Sequence, residues 1–343
     1  VLLSDFEYEL PPELIAQRPP ERRDGGRLLR LDRASGALSH HRVLDLPGLL
    51  PAGCLLVIND SRVLPARLMA SRPSGGRVEI LLLERERGGR GEAGGEEVWR
   101  CMLRASKGLR AGELLTPQGA AEGDAPLRVL SAPQRGRCLV ALSRPVLLRH
   151  GRMPLPPYIR RAADGRDVAR YQTVYAREEG SVAAPTAGLH FSESLLAAVQ
   201  QAGAQIARVT LHVGPGTFVP VRCQQVLEHR MEQERYRVPA PTAAAIRRAR
   251  QEGRPVVAVG TTVVRTLEST GGAAGEGSTE LFIVPGHRFR VVDALLTNFH
   301  LPGSTLLMLV SALAGRDRVL RAYAEAVRRR YRFYSYGDAM LIV

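Results

Sequence analysis

The sequence predicts an α/β fold: a discontinuous α/β domain with a largely parallel sheet, built from residues 1–65 and 151–343, and an inserted small antiparallel β-barrel domain at 66–150. Two patterns predict it. Outside the insert, short apolar runs lead into turn residues and then into helical periodicity; inside it, strand-like runs follow one another at regular spacing without a convincing helix. Size agrees, because 343 residues with 45% hydrophobic content suit two compact units with a substantial core.

The elements follow in order. LLVI (55–58) is a buried strand that opens a loop at Asn59 and Asp60. VEILLLE (78–84), EVWRCMLR (97–104), ELLT (113–116) and RCLVALS (137–143) are the strands of the insert, separated by turn-rich loops such as ERERGGRGEAGGEE and PQGAAEGDAP. SESLLAAVQQAGA (192–204) reads as a helix capped by Ser192 and stopped near Gly203, and IARVTLHV (206–213) reads as a strand. Thr242 is the expected cap of AAAIRRARQEG, PVVAVG (255–260) a buried strand, and TTVVRTLEST (261–270) a helix starting directly after it. GGAAGEGST (271–279) reads as a mobile loop, and no internal repeat is evident.

The chain carries 48 Lys+Arg against 34 Asp+Glu, a net charge of +14, and Lys107 is its one lysine. Guanidinium forks pair with phosphate and stack on bases, so this balance favours a polyanion such as RNA; a GC-rich coding sequence would also exchange lysine for arginine. Cys54, Cys101, Cys138 and Cys223 form no CxxC pair or zinc spacing and read as buried apolar residues in a reducing compartment, so no metal is expected. The first twenty residues mix acidic residues and prolines where a secretory signal would be basic and then apolar, and the longest apolar run, LLMLVSALA (306–314), is too short to span a bilayer. A cytoplasmic protein without membrane contact, acting as a monomer, is expected.

Three segments each place a histidine among small residues: GSVAAPTAGLHF (180–191) with His190, TLHVGPGTFVPV (210–221) with His212, and TNFHLPGST (297–305) with His300. Small residues let a backbone approach a ligand, and histidine titrates near neutrality, so three such segments together point to a site. In VAVGTTVVRTLES a strand ends at Gly260 and two threonines begin a helix, whose free N–H groups suit an anion or a ribose; an ordinary helix cap would look the same. Gly214, Pro215 and Gly216 follow a strand, where ligands sit in α/β sheets, and compete with a plain tight turn. NDSRVLPARL offers Asp60, Arg62 and Arg67, as substrate ligands or as a structural ion-pair network. Near the C-terminus, Asp338 follows Gly337 in an aromatic run, and residues 316–332 form an arginine-heavy helix that faces either RNA phosphates or solvent. No GxSxG, HExxH or local Cys-His pair is present, so acid–base groups and positioning must carry any chemistry.

These segments, with SDFEYELPPELIAQ (4–17), PLPPYI (154–159), YQTVYA (171–176) and YRFYSYGDAMLI (331–342), closely resemble the S-adenosylmethionine:tRNA ribosyltransferase-isomerase family of queuosine biosynthesis across nearly the whole chain. One departure stands out: the family pattern His-x-Met-His-x-Glu reads here as His229, Met231, Glu232 and Glu234, with glutamate in place of the second histidine. The resemblance implies transfer and isomerisation of the ribosyl group of S-adenosylmethionine onto the 7-aminomethyl-7-deazaguanine base at the tRNA wobble position. Epoxyqueuosine-tRNA forms, and adenine and methionine are released. S-adenosylmethionine is then a cosubstrate, tRNA the partner, and no further cofactor is implied.

Such a reaction needs groups that titrate near neutrality, for which His190, His212 and His300 are the candidates, and a carboxylate near the sulfonium and amine, for which Glu268, Asp60 and Asp338 are candidates. Arg62, Arg67 and Arg265 would bind the methionine carboxylate or tRNA phosphate, and Thr261, Thr262, Gly214 and Gly216 the ribose or adenine. Thr186, Thr217 and Asn298, from the histidine-bearing segments, complete the expected binding set. A non-catalytic RNA-binding protein and a conventional methyltransferase are the competing readings.

Overall fold

The computed structural model describes residues 1–90, 95–218, 221 and 223–343. Its strands, in chain order, are β1 (Arg27–Leu31), β2 (Leu38–Arg42), β3 (Leu55–Asn59), β4 (Ser61–Val63), β5 (Arg67–Ser71), β6 (Arg77–Arg90), β7 (Glu96–Ala105), β8 (Leu114–Pro117) and β9 (Leu127–Val129). There follow β10 (Arg137–Ser143), β11 (Glu178–Ser181), β12 (Gln205–Leu211), β13 (Glu234–Val238), β14 (Val256–Val259), β15 (Gly275–Thr279), β16 (Ala294–Asn298) and β17 (Ala339–Ile342).

Nine of them form one sheet in the order β15-β13-β12-β3-β14-β16-β17-β1-β2. Its centre, β12-β3-β14-β16, is parallel throughout, and antiparallel pairings on either side make the whole sheet mixed. Alternate residues of the central strands feed two cores, as a sheet covered on both faces requires. Leu55 and Val57 join the cluster built with the helices Ala240–Gln251, Thr261–Thr270, Thr305–Ala314 and Arg316–Arg328. Leu56 and Ile58 join the cluster on the other face, with Phe191, Leu195 and Val199.

The insert is a closed barrel, β10-β7-β6-β5-β8-β9, antiparallel at every seam and filled by its own apolar cluster. Four of its strands follow the predicted runs; β5 and β9 are additional, and a short helix, Arg144–His150, follows β10 where no helix was expected. Three local expectations change. Residues 275–279 are an edge strand paired along its length with β13, because glycine tolerates the extended backbone (Gly275 φ 152°) and the ladder supplies hydrogen bonds that a loop would lack. Thr242 is no cap: the helix starts at Ala240, and the Thr242 hydroxyl donates to the Arg208 carbonyl at 2.6 Å. Ser192 is a cap, its Oγ accepting from Leu195 N at 3.1 Å. Among the described residues no helix is long and apolar enough to cross a membrane.

Candidate active site

Because β12, β3, β14 and β16 run parallel, their carboxyl ends share one edge of the sheet, and the segments after them converge there. That is where α/β sheets bind ligands, most often where successive connections diverge to opposite sides, as they do on either side of β3. Asn59, fully buried at the end of β3, ties the segments together. Its amide donates to the Leu211 carbonyl (3.0 Å) and to Thr262 Oγ1 (3.3 Å), while its Oδ1 accepts from Ser61 N and Leu211 N, both at 3.1 Å. An asparagine closing an otherwise apolar strand, LLVIN, was the sequence signal for this role, and it was read only as the opening of a loop.

A narrow cavity of about 30 Å³ lies among these ends, walled by Thr186 and its neighbours, Gly260, Thr261, Thr262, Thr297 and His300. The structure therefore gathers three predicted threonines, one predicted histidine and the glycine that starts the helix. Gly260 has φ 89°, a left-handed conformation that a β-carbon would strain, and it turns the chain from β14 directly into the helix Thr261–Thr270. His300 Nε2 is 2.8 Å from Thr297 Oγ1, its backbone N–H donates to the Tyr323 hydroxyl at 3.0 Å, and its carbonyl accepts from Tyr8. Burial drives its pKa down to about 3, so at neutral pH the ring is an uncharged imidazole.

His190 is buried at the end of the short helical segment Thr186–His190, whose first residue lines the cavity. The Asn298 amide nitrogen donates to the Tyr334 carbonyl at 3.0 Å and meets His190 Nε2 at 3.2 Å. A carbonyl only accepts, so the amide nitrogen must face both groups; His190 Nε2 is then the acceptor and Nδ1 carries the proton. Burial lowers the His190 pKa to about 4, with the Asp338 charge opposing. Asp338 itself accepts from the backbone N–H groups of Arg27 (2.9 Å) and Arg332 (2.8 Å) and from the Arg27 guanidinium.

His212 is elsewhere, on a groove of about 670 Å³ between β6 of the barrel and the strands β13 and β15 at one end of the large sheet. Burial, then the Arg235 charge, lowers its pKa to about 4, and its Nδ1 packs where a β-carbon on Gly180 would fall at 2.9 Å. His190 and His300 are thus both tied to the end of β16, through Asn298 and Thr297, while His212 lies apart; all three have pKa values well below 7, because the close packing that positions them strips away their water. Asp60 is the carboxylate whose pKa moves toward neutrality: burial raises it, the Thr210 hydroxyl at 2.7 Å counters, and the Glu178 charge raises it further.

The remaining candidates are held by structural partners. Glu268 accepts three backbone N–H groups, from Arg290 (2.8 Å), Val291 (3.0 Å) and Val292 (3.0 Å), so both of its oxygens are committed to a loop outside the cavity. Arg62 donates to the Ala176 carbonyl at 2.7 Å, and Arg67 to the Leu155 carbonyl at 3.2 Å while pairing with Glu79 at 3.3 Å. Arg265 forms a buried ion pair with Glu234, which also accepts from Gly214 N at 2.9 Å. Among the described residues the Arg265 Nη2 has no hydrogen-bond partner; through the ion pair and the Gly214 contact, Arg265 and Glu234 fasten the glycine loop to the helix Thr261–Thr270. The side chain of Thr217 lies outside the described residues.

Comparison with known proteins decides the family. A family model described as "Queuosine biosynthesis protein" matches residues 3–342. A protein from Anaeromyxobacter sp. (strain Fw109-5), named S-adenosylmethionine:tRNA ribosyltransferase-isomerase, is 55% identical, covering 99% of this chain and 98% of its own. One of the same name from Geobacter sulfurreducens is 50% identical over 100% of both chains. The chain belongs to the S-adenosylmethionine:tRNA ribosyltransferase-isomerase family of queuosine biosynthesis. The crystal structure of an S-adenosylmethionine tRNA ribosyltransferase from Thermotoga maritima is similar, with 38% identity and a TM-score of 0.56 over 99% of this chain and 100% of that one. In this family member, the glutamate that stands in place of the expected histidine, Glu232, pairs with Arg137 of the barrel, and its carboxylate lies 2.8 Å from where a β-carbon on Gly216 would sit. The departure thus joins the barrel to the glycine loop.

Proposed function

We propose that the protein transfers and isomerises the ribosyl group of S-adenosylmethionine onto the aminomethyl group of a 7-deazaguanine base at the tRNA wobble position, giving epoxyqueuosine-tRNA, adenine and methionine. The observation that carries this reading is the threonine- and glycine-walled cavity at the carboxyl ends of the parallel strands, in a chain that matches its family from end to end. Hydroxyls of Thr186, Thr261 and Thr262 and the free N–H groups at the helix start suit a ribose or a nucleobase edge. A cavity of about 30 Å³ holds a water or two, so binding the cosubstrate requires the surrounding loops to part.

His300, neutral within the cavity wall, is positioned to accept a proton or hold a hydroxyl. Asp60, shifted toward neutrality beside Thr210, is the carboxylate best suited to stabilise the sulfonium or take a proton from the amine. Asn298 and Asp338 hold His190 and the chain end in place. The sulfonium brings its own leaving group, so the scheme requires no resident cofactor.

The test is product analysis with S-adenosylmethionine and tRNA bearing the aminomethyl-deazaguanine base. Release of adenine and methionine together with a ribosyl-derived mass gain on the nucleoside is expected. A methyl gain with S-adenosylhomocysteine would instead mean a methyltransferase, and binding without turnover a docking protein.

A further inference from the structure

The barrel holds a pair of cysteines that the transferase chemistry does not use. Cys101 of β7 and Cys138 of β10 are directly opposite in an antiparallel register, and their sulfurs are 3.4 Å apart. Leu103 N donates to the Gly136 carbonyl in the same ladder, two residues away, so the cysteines also occupy a hydrogen-bonded pair position. Cα atoms at such positions are about 5.5 Å apart, within the span a disulfide bridges, although the β-carbons must draw together, which makes the bond readily reduced. Access is unequal. Cys101 is fully buried and its thiol faces the Cys138 carbonyl at 3.5 Å; Cys138, in the same barrel core, is 5% exposed and is one of the residues lining a surface pocket of about 390 Å³ with Arg100, Ser131 and Arg137.

We propose that this pair is a peroxide-oxidisable dithiol in which Cys138 reacts first and Cys101 resolves it. The Cys138 thiolate attacks a peroxide oxygen; the S–O bond forms, the O–O bond breaks, and the departing hydroxide leaves as water after taking up a proton. The Cys101 sulfur then attacks the sulfenic sulfur, the S–S bond forms, and the hydroxyl leaves as water with the Cys101 proton. Two thiols are oxidised by two electrons, and one hydrogen peroxide becomes two waters. The Cys101 contact holds the Cys138 thiol below its ordinary pKa against the opposing effect of burial, while that same contact and then burial raise the Cys101 thiol, in keeping with the division of roles.

The experiment treats folded protein carrying Cys223→Ser, which removes the one partly exposed competing thiol, with stoichiometric hydrogen peroxide and follows intact mass and linked peptides. The expected result is loss of two hydrogens, a single Cys101–Cys138 linked peptide, and reversal by dithiothreitol. With Cys101→Ala added, Cys138 should accumulate as a sulfenic acid captured by dimedone; with Cys138→Ala added, Cys101 should stay unlabelled. Failure to form the linked peptide in protein with native circular dichroism overturns the pairing, and dimedone labelling of Cys101 in the Cys138→Ala protein overturns the order.

Discussion

Asn298 and Arg265 show how much of the candidate site rests on single side chains that touch no solvent. Asn298 fixes the tautomer of His190, so Asn298→Ala strands the buried His190 Nε2, while the Tyr334 carbonyl keeps the Gly337 N–H at 2.8 Å. A stranded buried polar group costs about 1–3 kcal/mol, and a loss in that range is expected from urea denaturation; an unchanged midpoint would mean that His190 finds another partner. Arg265 poses a different question, because a nearly dehydrated ion pair is costly to break from one side only. Arg265→Met should destabilise by about 3–5 kcal/mol, and adding Glu234→Gln should recover much of it by removing the buried negative charge that the guanidinium balances. Equal stability of the single and double variants would show that Glu234 does not depend on that guanidinium. Sequence reading placed Arg265 at the site for its charge and Glu234 for its place in the family pattern. It did not foresee that each answers the other, since nothing local links positions 31 residues apart.

At the scale of elements, the segments that were legible are those whose residues carry local instructions. The helix Thr261–Thr270 follows Gly260 as read, and Ser192 caps its helix, because a left-handed glycine and a hydroxyl acceptor are decisions made within a few residues. The edge strand Gly275–Thr279 was not legible: its glycines carry no strand preference, and only β13 beside it supplies the ladder. Site residues divide in the same way. Thr261, Thr262, Thr186 and His300 meet in one cavity because each closely follows or packs on a parallel strand end, while Glu268, two turns into its helix, is captured by the loop at Arg290–Val292. The short helical segment Thr186–His190 depends on close approach, since a β-carbon on Gly188 would fall 2.1 Å from the Tyr175 hydroxyl oxygen. Gly188→Ala should therefore cost about 1–3 kcal/mol, and Tyr175→Phe in the same chain should restore part of that stability by clearing the clash. If the tyrosine change rescues nothing, Thr173, whose methyl lies 2.8 Å from the same point, is the controlling neighbour.

Over the whole molecule, the net charge of +14 is distributed mostly on exposed arginines, many in solvent-facing ion pairs that add little stability, so pH sensitivity must come from groups the fold has dehydrated. Prominent among them are His300, whose pKa burial lowers to about 3, and His190 and His212, each lowered to about 4. In the unfolded chain each titrates near 6.5, so between that value and its native pKa the unfolded state binds a proton that the native state refuses. Stability must then rise with pH across this window: it is complete above about pH 7, declines as pH falls toward 4, and levels off for His190 once its native form also protonates. Each shift corresponds to at least about 3 kcal/mol between the ends of its window. Denaturant midpoints measured from pH 7.5 down to pH 4.5 should fall steeply, and more shallowly for His300→Gln, which keeps a hydrogen-bonding group toward Thr297 but no proton-binding site. Parallel curves for the two proteins would mean that His300 titrates alike in both states and that its burial is not the source of the acid sensitivity.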